Sequence, residues 1–179
     1  MTLGDSKTDS NAWVTNVIPM LRQASGKQWL VSNGGISGSR VASIAPVIGT
    51  ILAAMPDTDD SPVNVLCNWG ANDMTFLPAQ ATFEADYLTI LDAIHAKWPL
   101  AIVRLTKAWK RGYDASAATM AGWVANVVAA RPAFALLADD ESVWLKDGDD
   151  GAAFTVDGIH YSAAGQAAKA LQVKAVLGY

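Results

Sequence analysis

Residues 63–73 read Val-Asn-Val-Leu-Cys-Asn-Trp-Gly-Ala-Asn-Asp. The first five are apolar or β-branched apart from Asn64, a run of the length and composition of a strand covered on both faces. Gly70-Ala71-Asn72-Asp73 then replaces apolar residues with turn formers and polar groups. Similar β-rich runs lie at residues 29–32, 100–105 and 134–137, and a stub at Thr2-Leu3 precedes them.

The stretches between the runs carry a helical period. One helix is expected over about residues 11–24, with Trp13, Val17 and Leu21 on one face and Pro19 bending it. A second starts near Ser39 and places Val41, Ile44, Ile48 and Leu52 together. Phe83, Tyr87, Ile90, Leu91 and Ile94 mark a third, and Met120, Trp123, Val124, Val127 and Val128 a fourth. An alanine-rich helix over about residues 163–177 closes the chain. Five strands alternating with helices predict an α/β fold, a parallel sheet with helices on both faces. No internal repeat is visible, and the polar stretches 56–62 and 139–150 read as loops.

Function in such sheets gathers where the strands end at their carboxyl side. The residues there are Gly4-Asp5-Ser6, Asn33 to Gly38, Gly70 to Asp73, and, beyond a long loop, Asp157-Gly158-Ile159-His160. A serine hydroxyl is a weak nucleophile until a base takes its proton, and histidine is the base suited to neutral pH. The chain has two histidines. His95 falls within the third helical stripe and reads as a helix-end or surface residue. His160 follows Asp157 by three positions, close enough in a tight turn for the carboxylate to reach Nδ1 and fix the tautomer. By itself that string is also an ordinary turn entering a helix. A tetrahedral intermediate needs oxyanion donors, each worth about 3–4 kcal/mol in other serine hydrolases. The Ser6 and Gly38 backbone N–H groups and the Asn72 side-chain amide are candidates. Taken singly, Gly38 is equally a turn glycine and Asn72 a cap.

Taken together, the four segments resemble the four sequence blocks of the SGNH (GDSL-type) hydrolase family, in order and over nearly the whole chain. Gly4-Asp5-Ser6 resembles the nucleophile block, Ile36-Ser37-Gly38 the second block, and Gly70-Ala71-Asn72-Asp73 the third. Asp157 to His160, followed by Tyr161 to Gly165, resembles the last block and closing helix. The resemblance implies a flavodoxin-like three-layer α/β/α sandwich whose five-stranded sheet has the order 2-1-3-4-5. It implies a catalytic triad of Ser6, Asp157 and His160, an oxyanion hole of Ser6, Gly38 and Asn72, and no cofactor. Lys7 departs from the apolar residue common at that place, and is expected either to put charge near the site or to point to solvent.

Length and composition bound the rest. The chain has 179 residues, which suits one domain, and about half of them are apolar. A net charge of −4 argues against a nucleic-acid partner. No apolar run is long enough to cross a bilayer. Cys67, the one cysteine, reads as a buried thiol, and with two histidines it cannot complete a His/Cys zinc site. Asp147-Gly148-Asp149-Asp150-Gly151 lacks the full calcium-loop pattern and reads as an acidic turn. No signal peptide is visible, and with so short a first strand we read the chain as a domain cut from a longer protein, so the compartment stays open. The lack of disulfides fits either side of the membrane. Nothing in the sequence speaks to oligomeric state.

The expected partner is a small-molecule or carbohydrate ester, with short acyl groups such as acetyl favoured over the substrates of the family's lipases, arylesterases and thioesterases. Seven tryptophans raise a rival reading, a non-catalytic carbohydrate-binding module. Trp13, Trp69 and Trp109 are the ones near the strand ends, where stacking on sugar competes with plain packing. Lys107 to Arg111 reads as a solvated loop.

Overall fold

The computed structural model describes residues 1–10, 12–57, 63–146 and 152–179. Its strands are β1 (Thr2–Gly4), β2 (Asn33–Gly35), β3 (Asn64–Asn68), β4 (Ile102–Lys107) and β5 (Ala135–Asp140). All pair in parallel, in the order β2-β1-β3-β4-β5. The helices are α1 (Ser6–Asp9), α2 (Ala12–Ser25), α3 (Val41–Ile44), α4 (Ile48–Ala53), α5 (Asp73–Phe76), α6 (Gln80–Lys97), α7 (Asp114–Ala129), α8 (Glu141–Trp144) and α9 (Ala163–Val176). Helix α2 packs with α9, while α6 packs with α3, α4 and α7. This is the expected flavodoxin-like arrangement.

The apolar stripes do the packing that their spacing predicts. Phe83, Tyr87, Ile90, Leu91 and Ile94 are all fully buried, as are Val65, Cys67, Val103 and Leu105 of the central strands. Burying each such side chain contributes about 1.5–3 kcal/mol. Strand β5 is different, because it forms the sheet edge. It leaves Leu136 and Leu137 partly exposed while Ala135 faces the core.

Three expectations need correction. The strand expected at residues 29–32 forms instead at Asn33–Gly35. Trp29 is tied back to α2, its indole donating to Ser25 Oγ at 3.0 Å and its carbonyl accepting from Arg22 at 3.1 Å, and Leu30 is exposed. Backbone pairing of Asn33, Gly34 and Gly35 with Thr2, Leu3 and Gly4 thus overrides side-chain β propensity. The helix expected from Ser39 is broken into α3, a 3₁₀ turn at Ala45–Val47, and α4. Pro46 lacks the N–H that would continue the ladder. The loop expected over 139–150 holds the end of β5 and all of α8, and residues 147–150 lie outside the described residues, as does the acidic turn expected at 147–151. Of the loop expected at 56–62, residues 58–62 likewise lie outside them.

Candidate active site

Strand register brings the first three segments to one rim. Gly4 pairs with Gly35 on one side and with Asn68 on the other, so the chain leaves three adjacent strands at the same level. From β1 it turns into α1 at once. The Asp5 side chain caps that helix by accepting from the Lys7 N–H at 3.0 Å. Ser6 is therefore its first residue, and its N–H is among the donors a helix start leaves without an intrahelical partner.

From β2 the chain reaches Gly38, whose φ of +72° is a left-handed conformation that glycine adopts without strain. Next to it, the Ser39 hydroxyl accepts from the Trp69 indole at 3.0 Å and the Ser39 carbonyl accepts from Asn72 Nδ2 at 3.0 Å. Asn72 stands at the cap position of α5 but makes no side-chain cap bond. Its amide has two N–H donors, so one orients the group on Ser39 and the second is left to serve another acceptor. Asp73 follows, buried, and both its oxygens receive the Val41 N–H at 3.3 Å at the start of α3. Burial pushes its carboxyl up to about 6 despite that bond.

The fourth segment closes onto the rim from the far end of the sequence. A bridge between Thr155 and Tyr161 pinches the chain into a hairpin, with the Val156 N–H on the His160 carbonyl at 2.9 Å. The Arg111 N–H holds the Gly158 carbonyl at 2.9 Å, tying the hairpin to the loop after β4. Within the turn, Asp157 Oδ1 accepts from the N–H groups of Ile159 at 2.9 Å and His160 at 2.8 Å, and Oδ2 lies 2.6 Å from His160 Nδ1. Partial burial works against ionisation, but these bonds outweigh it and hold the carboxyl down at about 2. An ionised carboxylate only accepts, so the proton sits on Nδ1 of the neutral imidazole. Nε2 is then an acceptor, and it lies 2.9 Å from Ser6 Oγ. Ser6, His160 and Asp157 therefore form one hydrogen-bonded chain, open to solvent, with the last two 46% and 47% exposed. A cavity of about 700 Å³ lies at the opposite end of β1, where Met1, Thr2, Trp29 and Val173 line it, and has no part in this chain.

Other residues singled out in the sequence find different places. His95 sits in the last turn of α6, its ring stacked on Phe134 at 4.1 Å, away from Ser6. Cys67 is buried, and its thiol is pushed up beyond the ordinary range by burial. Trp13, Trp69 and Trp109 are fully buried, so they pack and present no face to a sugar. Lys7 does not point to solvent. It is 1% exposed, with Nζ 2.5 Å from Glu141 Oε2 and 2.7 Å from the Trp109 carbonyl. Nor is the loop at 107–111 simply solvated, because Trp109 is buried and Lys107 pairs with Asp140 at 3.6 Å.

Sequence reasoning missed Glu141. It is 0% exposed and held well below the usual carboxylate range, at about 2, because Lys7 and Lys169 outweigh the cost of burial. The missed signal is its position directly after β5, the same strand-end rule that singled out the other segments. An acidic run read as a loop concealed it.

No curated protein matches this chain. Solved structures do. The lipase/acylhydrolase from Enterococcus faecalis superposes with a TM-score of 0.77 at 21% identity, covering 99% of this chain and 94% of that one. A carbohydrate esterase family 3 protein from Talaromyces cellulolyticus gives 0.74 at 20% identity, with 99% and 94% covered. The Clostridium thermocellum family 3 carbohydrate esterase gives 0.71 at 18%, with 96% and 90% covered. At these identities the likeness is one of fold. The sequence itself matches the family model for GDSL-like lipases and acylhydrolases over residues 2–168, nearly its full length, and the chain belongs to that family.

Proposed function

We propose that this protein is a serine esterase that cleaves carboxylic esters through an acyl-enzyme, with Ser6 as nucleophile, His160 as base and Asp157 as its orienting carboxylate. The observation that carries the reading is the continuous chain from Asp157 through His160 to Ser6, with contacts of 2.6 and 2.9 Å. Ser6 Oγ attacks the ester carbonyl carbon as its proton passes to His160 Nε2. The new oxyanion is received by the Ser6 and Gly38 N–H groups and the Asn72 amide. The intermediate collapses, the C–O bond breaks, and the alcohol leaves with the proton from His160. Water, giving a proton to the same nitrogen, then attacks the acyl group, frees the acid and restores Ser6.

The favoured substrates carry short acyl groups, acetyl on carbohydrate above all. Two features support this. The triad is open enough to admit a bulky alcohol portion. Solved structures of the same fold include an acetyl esterase and two carbohydrate esterases. The test is a p-nitrophenyl ester series of increasing acyl length, run beside acetylated sugars. Rates should be highest at acetyl, and Ser6→Ala should fall to background. A fluorophosphonate should label Ser6. Equal rates for wild type and Ser6→Ala would remove Ser6 from the mechanism.

A further inference from the structure

The two catalytic side chains that meet at the surface are each followed in sequence by a residue that plunges into the interior. Lys7 follows Ser6 and Tyr161 follows His160, and both are buried. Their side chains end on the same carboxylate. Glu141 Oε2 receives Lys7 Nζ at 2.5 Å and the Trp109 N–H at 3.0 Å. Glu141 Oε1 receives the Tyr161 hydroxyl, and Asn68 Nδ2 at 3.1 Å. Asn68 Nδ2 also lies 3.1 Å from the Tyr161 oxygen, and the Asn68 carbonyl accepts from the Asp5 N–H at 3.2 Å. Lys7 Nζ stands 5.4 Å from the centre of the Tyr161 ring.

Five segments thus converge on Glu141: the nucleophile turn, the end of β3, the loop after β4, the hairpin carrying Asp157 and His160, and α9, whose Lys169 Nζ lies 3.6 Å from Oε1. His160 and Asp157 are each nearly half exposed, so little of their own packing fixes them. The hairpin bonds fix His160 within its own turn, and the contacts beneath join that turn to the one carrying Ser6. Resting on the esterase reading above, we propose that Glu141 is a positioning residue. Through Lys7 and Tyr161 it sets the separation of Ser6 Oγ and His160 Nε2.

Two variants test this. Lys7→Met/Glu141→Gln removes both buried charges together, so neither is left unpaired. Tyr161→Phe removes one hydroxyl and leaves the Lys7–Glu141 pair whole. Fluorophosphonate titration counts competent sites in each folded protein, and p-nitrophenyl acetate then gives kcat per site and KM. Misplacement of about 1 Å costs about a hundredfold in rate. The double variant should therefore lose about ten- to a hundredfold in kcat per titrated site, and Tyr161→Phe a smaller factor, with KM within about twofold of wild type. A merely structural role would lower the number of titratable sites and leave turnover per site unchanged. Wild-type kcat per site in Tyr161→Phe, or in a folded double variant, overturns the proposal. Wild-type protein that hydrolyses no ester instead overturns the esterase reading beneath it.

Discussion

At the scale of the residue, Asp157 and Gly38 do different work from what their surroundings first suggest. Asp157 is a surface carboxylate whose ionisation is held by hydrogen bonds from its own turn, with an acidity near 2. It stays charged at any pH where an esterase is assayed, so it can keep the proton on His160 Nδ1. Asp157→Asn preserves the size but offers an N–H in place of an acceptor oxygen, favouring the wrong tautomer. We expect kcat to fall by about 10³- to 10⁴-fold, as for the equivalent change in other serine hydrolases. Stopped assays with p-nitrophenyl acetate and the rate of fluorophosphonate labelling should fall together. At Gly38 a Cβ would meet nothing within 4 Å, so the objection to a side chain is conformational alone. Gly38→Ala must hold φ near +72° at a cost of about 1–2 kcal/mol or shift the backbone. Shifting the backbone turns the N–H, and we expect about a tenfold loss of kcat with only a small drop in Tm. Unchanged kcat would remove the Gly38 N–H from the oxyanion hole.

At the scale of the element, α9 and α8 show how the fold reaches the site from a distance. Helix α9 begins where Ser162 caps it, its hydroxyl accepting from the Gly165 N–H at 3.2 Å. A Cβ on Gly165 would stand 2.0 Å from the Phe154 carbonyl oxygen, so the first turn of the helix lies directly on the hairpin strand that leads to Asp157. Gly165→Ala must push the two apart. The expected result is a loss of stability of more than about 2 kcal/mol, comparable to overpacking a core, with reduced activity because His160 moves with the hairpin. Urea unfolding and p-nitrophenyl acetate turnover read both effects. Helix α8, four residues long, begins directly where β5 ends: Asp140 caps it by accepting from the Ser142 N–H, and its first residue is Glu141. Deeper in α9, Lys169 meets Asp139 at 2.8 Å and Thr106 at 3.0 Å, all buried. Lys169→Met leaves Asp139 without its cation and should cost about 3–5 kcal/mol by urea unfolding, as breaking buried ion pairs does elsewhere.

At the scale of the whole molecule, buried ionisable groups give stability a definite dependence on pH. Asp5 and Asp73 are raised from 3.8 to about 6, Asp5 by burial that outweighs its bond to the Lys7 N–H. The native state therefore binds protons below pH 6 that the unfolded chain takes up only near 3.8, so stability grows as pH falls between those values. Glu141 acts in the opposite sense. Its acidity is depressed from 4.5 to about 2, so its contribution is complete above 4.5 and is lost as pH drops toward 2. The buried Met1 ammonium, lowered by burial from 8.0 to about 6, costs stability as pH falls from about 8 to 6. The gain from the two aspartates is therefore expected as a rise of the urea midpoint from about pH 6 to about pH 5, with a steep fall below about pH 4. Asp5→Asn should reduce that gain. A midpoint that rises from about pH 5 to about pH 6 would contradict the raised pKa values of these two buried aspartates.

Much of this was legible in the chain. Local sequence determined the alternation of strands and helices, because apolar period is a property of neighbours, and the stripes of α6 and α7 bury the residues that their spacing selected, Val128 only in part. It also marked Ser6, Gly38, Asn72, Asp157 and His160 as candidates, because the proposed chemistry calls for groups that stand where strands end. Tertiary structure decided the rest. The position of β2 depended on which backbone lay beside β1, not on which side chains favour strands. The fate of Lys7 turned on Glu141, 134 residues away, and no local pattern signals a buried charge whose partner lies so far along the chain. A lysine read alone belongs in water, and only the fold supplies the carboxylate, the carbonyl and the aromatic ring that make its burial possible.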